Sequence, residues 1–325
     1  MAVYRRIIQL LLTSFFMTDL LISAIICTHN RDHYLGDAID SLLSQQFDGE
    51  FEVIVVDNAS SDRTRDVVDA RQPHPRLNYV YEAVTGLSVA RNTGAQMARG
   101  QILAYLDDDA IASPHWLQVL WNHYEQSEET AIAGGRIDLI WPSTMHQQPK
   151  WMTPELSGNL GFYDLGDEVT FIENPGQTPR GLNYSMRRSF WEAVGGFDSH
   201  LGRVGKRLLS NEELQMTERA IEAGWRVAYL PDALVSHTVA PERLHPAWFL
   251  NRSWWQGISE YYREQLAGRH GIVQLQRGAE RLLRGLYRSV KHMGDPALRF
   301  DNFVYAYGQI GYLLASLKGL LIKPS

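Results

Sequence analysis

Three consecutive aspartates, Asp107, Asp108 and Asp109, are the residues of this sequence that point most directly to chemistry. They follow an apolar run at residues 102–106, and their like charges repel one another unless a positive group lies close by. Carboxylates without cysteine or histidine at metal-ligand spacing suit Mg²⁺ or Mn²⁺, which bind one or two carboxylates together with substrate phosphates. The alternative is an acidic loop that water solvates at the end of a strand. The three aspartates alone leave both interpretations open.

Polar residues also follow two other predicted strands. Thr28 and Asn30 come after the apolar run at residues 22–27, and Asp57 comes after the run at residues 51–56. Ligands of open α/β sheets bind at the carboxyl ends of the strands, so these side chains and the aspartates should meet in one crevice. The first turn, CTHNRDHYL, lacks the glycines of a pyrophosphate-binding loop, which argues against a Rossmann dinucleotide site.

The elements that must position these residues alternate between strand and helix patterns. Strand patterns occur at residues 22–27, 51–56, 78–81 and 102–106. Helical patterns occur at residues 34–46 and 88–99, and Ser61 or Asp62 is expected to cap another helix. Near the end of the pattern, RVAYL predicts a strand and PDALVS a loop. This alternation is typical of an α/β layer fold with a largely parallel sheet flanked by helices.

Glu212 and Glu213, in the stretch SNEEL, are a second acidic pair. A general base must reach the hydroxyl from which it takes a proton, and a helix N-terminus favours the charged form of a carboxylate. The same stretch also fits a capping box, in which Ser210 is the N-cap and Glu213 reaches back to the N–H of Ser210. The sequence leaves the choice between a base and a cap open.

The composition is that of a globular protein. The 325 residues are 45% hydrophobic and 21% charged, and the formal net charge of −6 argues against a nucleic-acid partner. The single cysteine, Cys27, cannot form an internal disulfide, which favours the reducing cytoplasm. The N-terminal stretch RRIIQLLLTSFFM lacks a small-residue cleavage site, so secretion is disfavoured, and residues 1–16 are expected to be dispensable.

The C-terminal apolar helix at residues 303–321 is too short and too interrupted by Gly308 and Gly311 for a good membrane span. Its length and the flanking Arg299, Lys318 and Lys323 predict peripheral association with a membrane.

Two aromatic-rich stretches are candidates for contacts with a ligand. Residues 140–180 are rich in Trp, Pro and Gly and are longer than an ordinary connection, which is typical of lids and binding loops. Trp254 and Trp255 follow later in the chain, and their faces suit sugar rings. Aromatic residues at helical spacing more often belong to a core, so both interpretations stay open.

The ordered set of motifs resembles the family 2 glycosyltransferases of the GT-A fold. The matching stretches, between about residue 22 and residue 237, are CTHNR, VIVVDNASSDRT, GLSVARNTGAQMARG, LDDDA, GLNYSMRR, GGFD, NEEL and VSH. The likeness is greatest to the cyanobacterial exopolysaccharide and hormogonium polysaccharide enzymes of that family. It implies an N-terminal extension at residues 1–20, a GT-A nucleotide-diphospho-sugar transferase domain at 21–240 and a C-terminal helical region at 241–325.

The resemblance implies a role for each candidate residue. The donor nucleotide would contact a set of six residues: Thr28, Asn30, Asp57, Arg91, Asn92 and Asp107. A Mn²⁺ or Mg²⁺ ion would be held by Asp107 and Asp109 of the family's DXD motif and by His237. The family often has a further acidic residue where this chain has Ala110. Glu213, or its neighbour Glu212, would be the general base, and the sugar contacts would be Asn183, Trp254 and Trp255.

The implied activity is inverting transfer of a sugar from a nucleoside-diphosphate sugar, with a UDP-sugar favoured, to a hydroxyl of a saccharide or lipid-linked saccharide. The expected context is exopolysaccharide biosynthesis in the cytoplasm or at the inner face of the plasma membrane. A sugar nucleotidyltransferase is a weaker alternative, because no glycine-rich, basic triphosphate loop lies near the N-terminus. The alternative from another class is a catalytically silent subunit that binds nucleotide or membrane in a polysaccharide assembly complex.

Overall fold

The computed structural model describes residues 20–145, 149–205, 207–269 and 271–321. The strands in these ranges are β1 (Ile22–Thr28), β2 (Phe51–Asp57), β3 (Leu77–Tyr81), β4 (Ile102–Asp107), β5 (Ala110–Ala112), β6 (Thr130–Ile140), β7 (Thr170–Phe171), β8 (Asn183–Arg187) and β9 (Arg226–Thr238). The helices are α1 (Asp32–Leu43), α2 (Thr64–Asp69), α3 (Leu87–Met97), α4 (Trp116–Gln126), α5 (Pro154–Asn159), α6 (Arg188–Val194), α7 (Glu212–Glu222), α8 (Pro246–Leu266), α9 (Ile272–Lys291) and α10 (Pro296–Leu321). The expectations for residues 1–16 and for Lys323 lie outside the described residues.

The strands form one mixed sheet in the order β3-β2-β1-β4-β8-β6-β9-β5, with β7 paired to β9. The strands β1 to β4 are parallel to one another, and so are β6 and β9. The short strands β5 and β7 and the strand β8 run antiparallel to their neighbours. The expected α/β architecture with helices around a central sheet is confirmed.

The apolar runs of the sequence become the buried central strands. Every residue of β2 is buried, and β1 and β4 are buried along almost their whole length. Strands covered on both faces by helices are expected to be continuously hydrophobic, which explains why these runs do not alternate with polar residues. The predicted boundaries of the first four strands agree with the observed ones to within one residue at each end.

The loop predicted at PDALVS is wrong, because β9 continues through it to Thr238. The pairing between β6 and β9 skips from Leu230 to Val235, so the four residues between them form an irregularity in a continuing strand. The far end of β9 then pairs with β5, and this pairing brings His237 directly opposite Ala110. A histidine thought to follow a loop therefore lies on the sheet beside the aspartates.

The three C-terminal helices pack on one another through small residues. A Cβ atom at Gly308 would lie 2.5 Å from Ser253 Oγ, and one at Gly311 would lie 2.4 Å from the Trp254 carbonyl oxygen. The glycines that interrupt the apolar run of α10 thus allow its close approach to α8. Glu264 of α8 also accepts hydrogen bonds from Tyr312 of α10 at 2.6 Å and from Gln274 of α9 at 2.9 Å, so one carboxylate joins all three helices.

A second apolar cluster joins these helices to the segment between β6 and β7. Its buried members are Met152, Leu156, Leu160, Val239, Phe249 and Val304. None of the helices in the described ranges combines the length and the apolar character that a membrane span requires.

Candidate functional site

The crevice at the carboxyl ends of β1 and β4 is where the chain changes direction across the sheet. The strands β2 and β3 lie on one side of β1, and β4 lies on its other side. This reversal in strand order makes the junction of β1 and β4 a topological switch point. Cys27 lies opposite Asp107 in the register, and Thr28 lies opposite Asp57. The cavity here has a volume of about 290 Å³, and its lining includes Thr28, Asn58 and the three aspartates.

Arginines compensate the two buried aspartates of the triplet. Arg31 Nε lies 3.1 Å from Asp108 Oδ1, and Arg31 Nη2 lies 2.5 Å from Asp109 Oδ2. Arg243 Nη2 lies 3.3 Å from the same oxygen of Asp109. Asp108 is therefore a buried member of an ion pair.

The surroundings of Asp108 and Asp109 separate their protonation behaviour. Burial raises the pKa of Asp108 to about 7, against the opposing charge of Arg31. Burial also acts to raise the pKa of Asp109, but the hydrogen bond from His237 and the charges of Arg31 and Arg243 hold this pKa well below its usual range. Asp109 is consequently the carboxylate whose negative charge the site maintains.

The side chains of Asp107, Asp109 and His237 have donor chemistry that suits a hard divalent cation. His237 Nε2 lies 3.2 Å from Asp109 Oδ1, and His237 Nδ1 is buried with no hydrogen-bond partner in the described ranges. The Asp107 side chain is 32% exposed and turned to the cavities, with a charge partner, Arg91, only at 3.9 Å.

No three His, Cys, Asp or Glu side chains of the described residues converge closely enough to enclose an ion by themselves. A cation at this site would complete its shell with substrate phosphate and water, as Mg²⁺ commonly does. The residues present therefore fit an ion that binds together with its substrate.

Glu212 and Glu213, at the start of α7, share one buried guanidinium. Arg91 Nη1 lies 3.1 Å from Glu212 Oε1 and 2.9 Å from Glu213 Oε1. Glu212 is buried, and this burial together with the charge of Glu213 raises the pKa of Glu212 to about 7, with Arg91 opposing the rise. The Glu213 side chain is 16% exposed, and both carboxylates line a second cavity of about 360 Å³. Glu213 is the more accessible of the two.

The capping-box interpretation of this stretch is wrong. Asn211, with a φ of 79°, is the N-cap of α7, and no side chain caps the helix. Ser210 Oγ instead donates a hydrogen bond to Gln256 Oε1 on α8 at 2.9 Å. The left-handed backbone at Asn211 displaces the start of the helix by one residue, and the Glu213 carboxylate is held by Arg91.

The two cavities adjoin, and a set of arginines lies between them. Both cavities are lined by Asp107, Arg203, Arg243 and Arg252. Burial and the neighbouring Arg203 lower the pKa of Arg252 to about 10, which reflects positive charge that nearby carboxylates leave uncompensated. Such a cluster suits an anionic ligand. Sequence reasoning missed these three arginines, since they come from separate segments and belong to no recognisable motif, whereas Arg31 was visible in CTHNR.

Thr28, Asn30 and Asp57 all lie around the first cavity, but only Thr28 lines it. Asp57 accepts hydrogen bonds from Tyr79 Oη at 2.8 Å and from the Ser60 backbone N–H at 2.9 Å. Asn30 Oδ1 accepts a hydrogen bond from the Ser61 backbone N–H at 2.7 Å. These contacts fix the rim of the cavity, and the carboxylate of Asp57 keeps lone pairs for a further donor.

Asn92 and Asn183 have their amides engaged inside the protein. Asn92 Oδ1 accepts the Phe197 backbone N–H at 2.9 Å, and Asn92 Nδ2 donates to the Phe197 carbonyl at 2.8 Å. Asn183 is fully buried, accepts from Trp116 Nε1 at 2.9 Å and donates to the Ala233 carbonyl at 2.7 Å. Neither residue lines either cavity, and the nucleotide contact of Asn92 and the sugar contact of Asn183 stay predictions.

The aromatic candidates mostly form packing contacts. Trp254 packs on Tyr307 with ring centroids 5.7 Å apart, and neither Trp254 nor Trp255 lines the two cavities. Trp151 packs on Phe249 in the second apolar cluster. Trp248, which was not singled out as a site residue, is the tryptophan that lines the first cavity. The irregular segment at residues 140–180 lines part of the second cavity with residues 158–161 and 178–180.

Comparison with known proteins identifies relatives that are named as glycosyltransferases or polysaccharide-biosynthesis proteins. The sequence model "Glycosyl transferase family 2" matches residues 23–186, which is half of the chain. The chain is 29% identical to the glucosyl-dolichyl phosphate glucuronosyltransferase of Haloferax volcanii, over 74% of this chain and 76% of the relative. It is 27% identical to the succinoglycan biosynthesis protein ExoM of Rhizobium meliloti, over 71% of each chain.

Among solved structures, the fold is similar to that of the mannosyltransferase PcManGT from Pyrobaculum calidifontis in complex with GDP-Man and Mn²⁺. The TM-score is 0.52 at 18% identity, over 94% of this chain and 76% of that one. This likeness confirms the predicted GT-A architecture. From the family match and the fold together, the chain belongs to glycosyl transferase family 2.

Proposed function

We propose that this glycosyltransferase moves a sugar from a nucleoside-diphosphate sugar to an acceptor hydroxyl, with inversion at the anomeric carbon. The observation that carries the proposal is the connection between the two cavities. Asp107 lines both of them, and Arg91 Nη2, 3.9 Å from Asp107, belongs to the guanidinium that also holds Glu213. A donor-side carboxylate and an acceptor-side carboxylate thus share one positive group.

The donor would occupy the first cavity. Arg203, Arg243 and Arg252 offer guanidinium groups to a diphosphate between the cavities, and arginine forks match the geometry of phosphate oxygens. Thr28 at the end of β1 and Asp57 at the rim of the first cavity are proposed to contact the nucleoside. A UDP-sugar is the first candidate donor. PcManGT was solved with GDP-Man, so a GDP-sugar is the second candidate to test.

The proposed cofactor is Mn²⁺ or Mg²⁺, which would be held by Asp109 and Asp107 with His237 beside them. Such an ion supplies Lewis-acid stabilisation of the charge that develops on the leaving diphosphate. The ionised state of Asp109 suits this role, because a hard cation requires a deprotonated oxygen ligand. Arg31 and Arg243 share the carboxylate and keep its charge compensated before substrate binds.

The acceptor would occupy the second cavity, with its hydroxyl at Glu213. In a direct displacement, the acceptor oxygen forms a bond to the anomeric carbon while the bond from that carbon to the diphosphate oxygen breaks. The proton of the hydroxyl passes to the Glu213 carboxylate. Arg91 fixes the position of this carboxylate. Because the attacking and leaving oxygens are on opposite sides of the carbon, the configuration inverts.

The proposed setting is the synthesis of an exopolysaccharide or a related glycan at the inner face of the membrane, with a saccharide or lipid-linked saccharide as acceptor. The names of the two relatives, which describe a glucosyl-dolichyl phosphate glucuronosyltransferase and a succinoglycan biosynthesis protein, support this class of acceptor. The GT-A domain is proposed to comprise residues 21–240 and the C-terminal helical region residues 241–325.

A catalytically silent, nucleotide-binding subunit is the second candidate. It is favoured by one observation: Asp109 and Glu213 are each already paired with arginine. Turnover separates the two candidates, because a silent subunit binds the nucleotide sugar without cleaving the bond between sugar and diphosphate.

The test is release of nucleoside diphosphate from a panel of UDP- and GDP-sugars, measured with Mn²⁺ and after chelation. A thermal-shift screen of the same panel first identifies the donor, since a ligand that binds the folded state raises its apparent stability. We expect one donor to give both a shift and metal-dependent release. Binding of a donor without any release, in the presence of saccharide and lipid-linked acceptors, would support the silent subunit instead.

A further inference from the structure

The helix α9 carries an apolar row that the described part of the protein leaves uncovered. At about 100° per residue, Ile272, Leu283, Leu286 and Val290 fall on one side of the helix. Leu283 is 67% exposed and Val290 is 66% exposed. Single exposed apolar side chains are normal, but a continuous row of them marks an interaction surface.

A different side of α9 packs on α10. A Cβ atom at Gly278 would lie 2.8 Å from Leu313, and one at Gly285 would lie 2.9 Å from the Cβ of Ala306. The contacts ascend along α9 while they descend along α10, so the two helices form an antiparallel hairpin. The apolar row of α9 is roughly 110° around the helix from these glycines and takes no part in the hairpin contact.

The helix α10 has a matching row. Five of its exposed apolar residues, Phe303, Ile310, Leu314, Leu317 and Leu321, have spacings typical of one helical side, whereas Leu298, Tyr305 and Leu320 are exposed elsewhere on the helix. When helical angles are counted from the N-terminus to the C-terminus, the apolar row lies at a larger angle than the hairpin contact in both helices. Because the helices are antiparallel, the two rows therefore face the same side of the hairpin. We call these two rows the hairpin face.

The charge of α9 is concentrated on the side of the helix opposite its apolar row. The helix has five basic side chains, Arg277, Arg281, Arg284, Arg288 and Lys291, and one acidic one, Glu280. Glu280 is paired with Arg284. At about 100° per residue, the five basic positions fall in one arc that is centred roughly 145° from the apolar row, with Lys291 and Arg284 nearest to the row. The whole chain has a formal net charge of −6, so this arc is a local reversal of sign.

We infer that the hairpin face binds the surface of an anionic lipid bilayer, with α9 and α10 lying in the plane of the interface. A helix with an apolar side and an Arg- and Lys-rich side is the pattern of an interfacial helix. The apolar rows would enter the acyl boundary, while the long side chains of Lys291 and Arg284, at the edge of the basic arc, would reach lipid phosphates. The inference assigns the contact to both helices, where the sequence pointed to α10 alone, and it does not depend on the proposed sugar transfer.

A second copy of the chain is the competing occupant of the hairpin face. Packing two such faces together would bring two strongly basic α9 helices into one assembly, and this like-charge repulsion costs free energy. An anionic bilayer covers the apolar rows and also attracts a helix whose opposite side is basic, which is why the charge favours lipid.

The experiment is flotation of the full chain with phosphatidylcholine vesicles and with vesicles that also contain phosphatidylglycerol. We expect binding to the anionic vesicles, weakened by high salt. The double variant Leu283→Glu/Val290→Glu should bind at least about tenfold more weakly, because two apolar side chains that would enter the bilayer become charged. The double variant Arg284→Gln/Lys291→Gln should lose about 30-fold on anionic vesicles and change little on neutral ones.

The matched control is Met97→Glu/Val169→Glu, which adds the same two charges at residues that are 56% and 54% exposed outside the hairpin. It should float as the unaltered chain does, and a chain lacking residues 1–16 should also still bind. Loss of binding in the truncated chain with full binding in Leu283→Glu/Val290→Glu would overturn the inference. A dimer in solution that Leu283→Glu/Val290→Glu separates, without vesicle binding by the unaltered chain, would overturn it in favour of a second copy.

Discussion

Arg91 Nη1 lies 2.9 Å from Glu213 Oε1, and the same guanidinium is 3.1 Å from Glu212 and 3.9 Å from Asp107. One buried arginine on α3 therefore links the carboxylate at the end of β4 to the carboxylates at the start of α7. The resemblance to the family implied that Arg91 contacts the nucleotide. In the structure Arg91 holds Glu212 and Glu213, and this pairing has consequences for both stability and turnover.

Arg91→Met should destabilise the protein by about 3–5 kcal/mol, because removal of one partner leaves buried negative charge uncompensated. The free energy of unfolding from urea titration measures this change. Arg91→Lys keeps the charge but cannot bridge two carboxylates, so its stability should lie between those of Arg91→Met and the unaltered chain. The exposed pair of Arg65 and Asp69 provides the control, and Arg65→Met should change stability little. Equal effects of Arg91→Met and Arg65→Met would contradict the linking role.

Gly181→Ala should impair turnover more than donor binding. A Cβ atom here would lie 1.9 Å from Glu213 Oε1 and 2.1 Å from Arg91 Nη2, so the pair must move. A displaced base costs kcat, whereas the donor cavity is not lined by Gly181. Gly158→Ala is the matched control in the same cavity lining, because its Cβ would meet nothing within 4 Å. We expect kcat to fall by about tenfold or more for Gly181→Ala alone. Similar kcat values for the two variants would count against a fixed base.

Asp109→Asn should weaken the metal dependence of nucleotide binding. The amide keeps the shape of the side chain but removes the charge that a hard cation requires. The measurement is the thermal shift produced by UDP or GDP with and without Mn²⁺. Asp108→Asn is the control, because Asp108 is buried against Arg31 and should leave the Mn²⁺ effect in place. An unchanged Mn²⁺ effect in Asp109→Asn would show that the triplet is not the metal site.

The raised pKa of Glu212 predicts that the free energy of unfolding depends on pH. Its pKa is raised to about 7 by burial and by Glu213, above the value of about 4.3 for an unfolded chain. Between these values the folded state binds more protons than the unfolded state, so the stabilising contribution is present at low pH and is lost as pH rises towards 7. Glu212→Gln lacks this titration. The Tm of Glu212→Gln minus that of the unaltered chain should therefore increase by about a few degrees between pH 5 and pH 8. A constant difference would contradict the raised pKa.

The parts of the site that follow from local pattern were predicted well. The strands that lead to Thr28, Asp57 and Asp107 are apolar runs that end in polar residues, and parallel pairing brings those ends together by geometry alone. The continuation of β9 to His237 was missed, because it depends on pairing with the distant strands β5 and β6 rather than on local turn residues.

The charge pairing was predicted less well for the same reason. Arg91 and Glu213 are more than a hundred residues apart, and no spacing rule relates them. The capping box failed because one left-handed residue, Asn211, moved the start of α7. Both features are decided by tertiary contacts, which a single sequence does not display.

The most direct test of the account is kcat for Glu213→Gln at saturating donor and acceptor, with Tm measured alongside. Gln keeps the shape and a hydrogen-bonding side chain near Arg91 but cannot accept the proton, so turnover should fall by about 10²–10⁴ while Tm changes little. Glu212→Gln is the control, because Glu212 is buried behind Arg91, and it should retain most of the activity. Loss of turnover in Glu213→Gln alone is the result that the account predicts, and near-native turnover in both variants would contradict it.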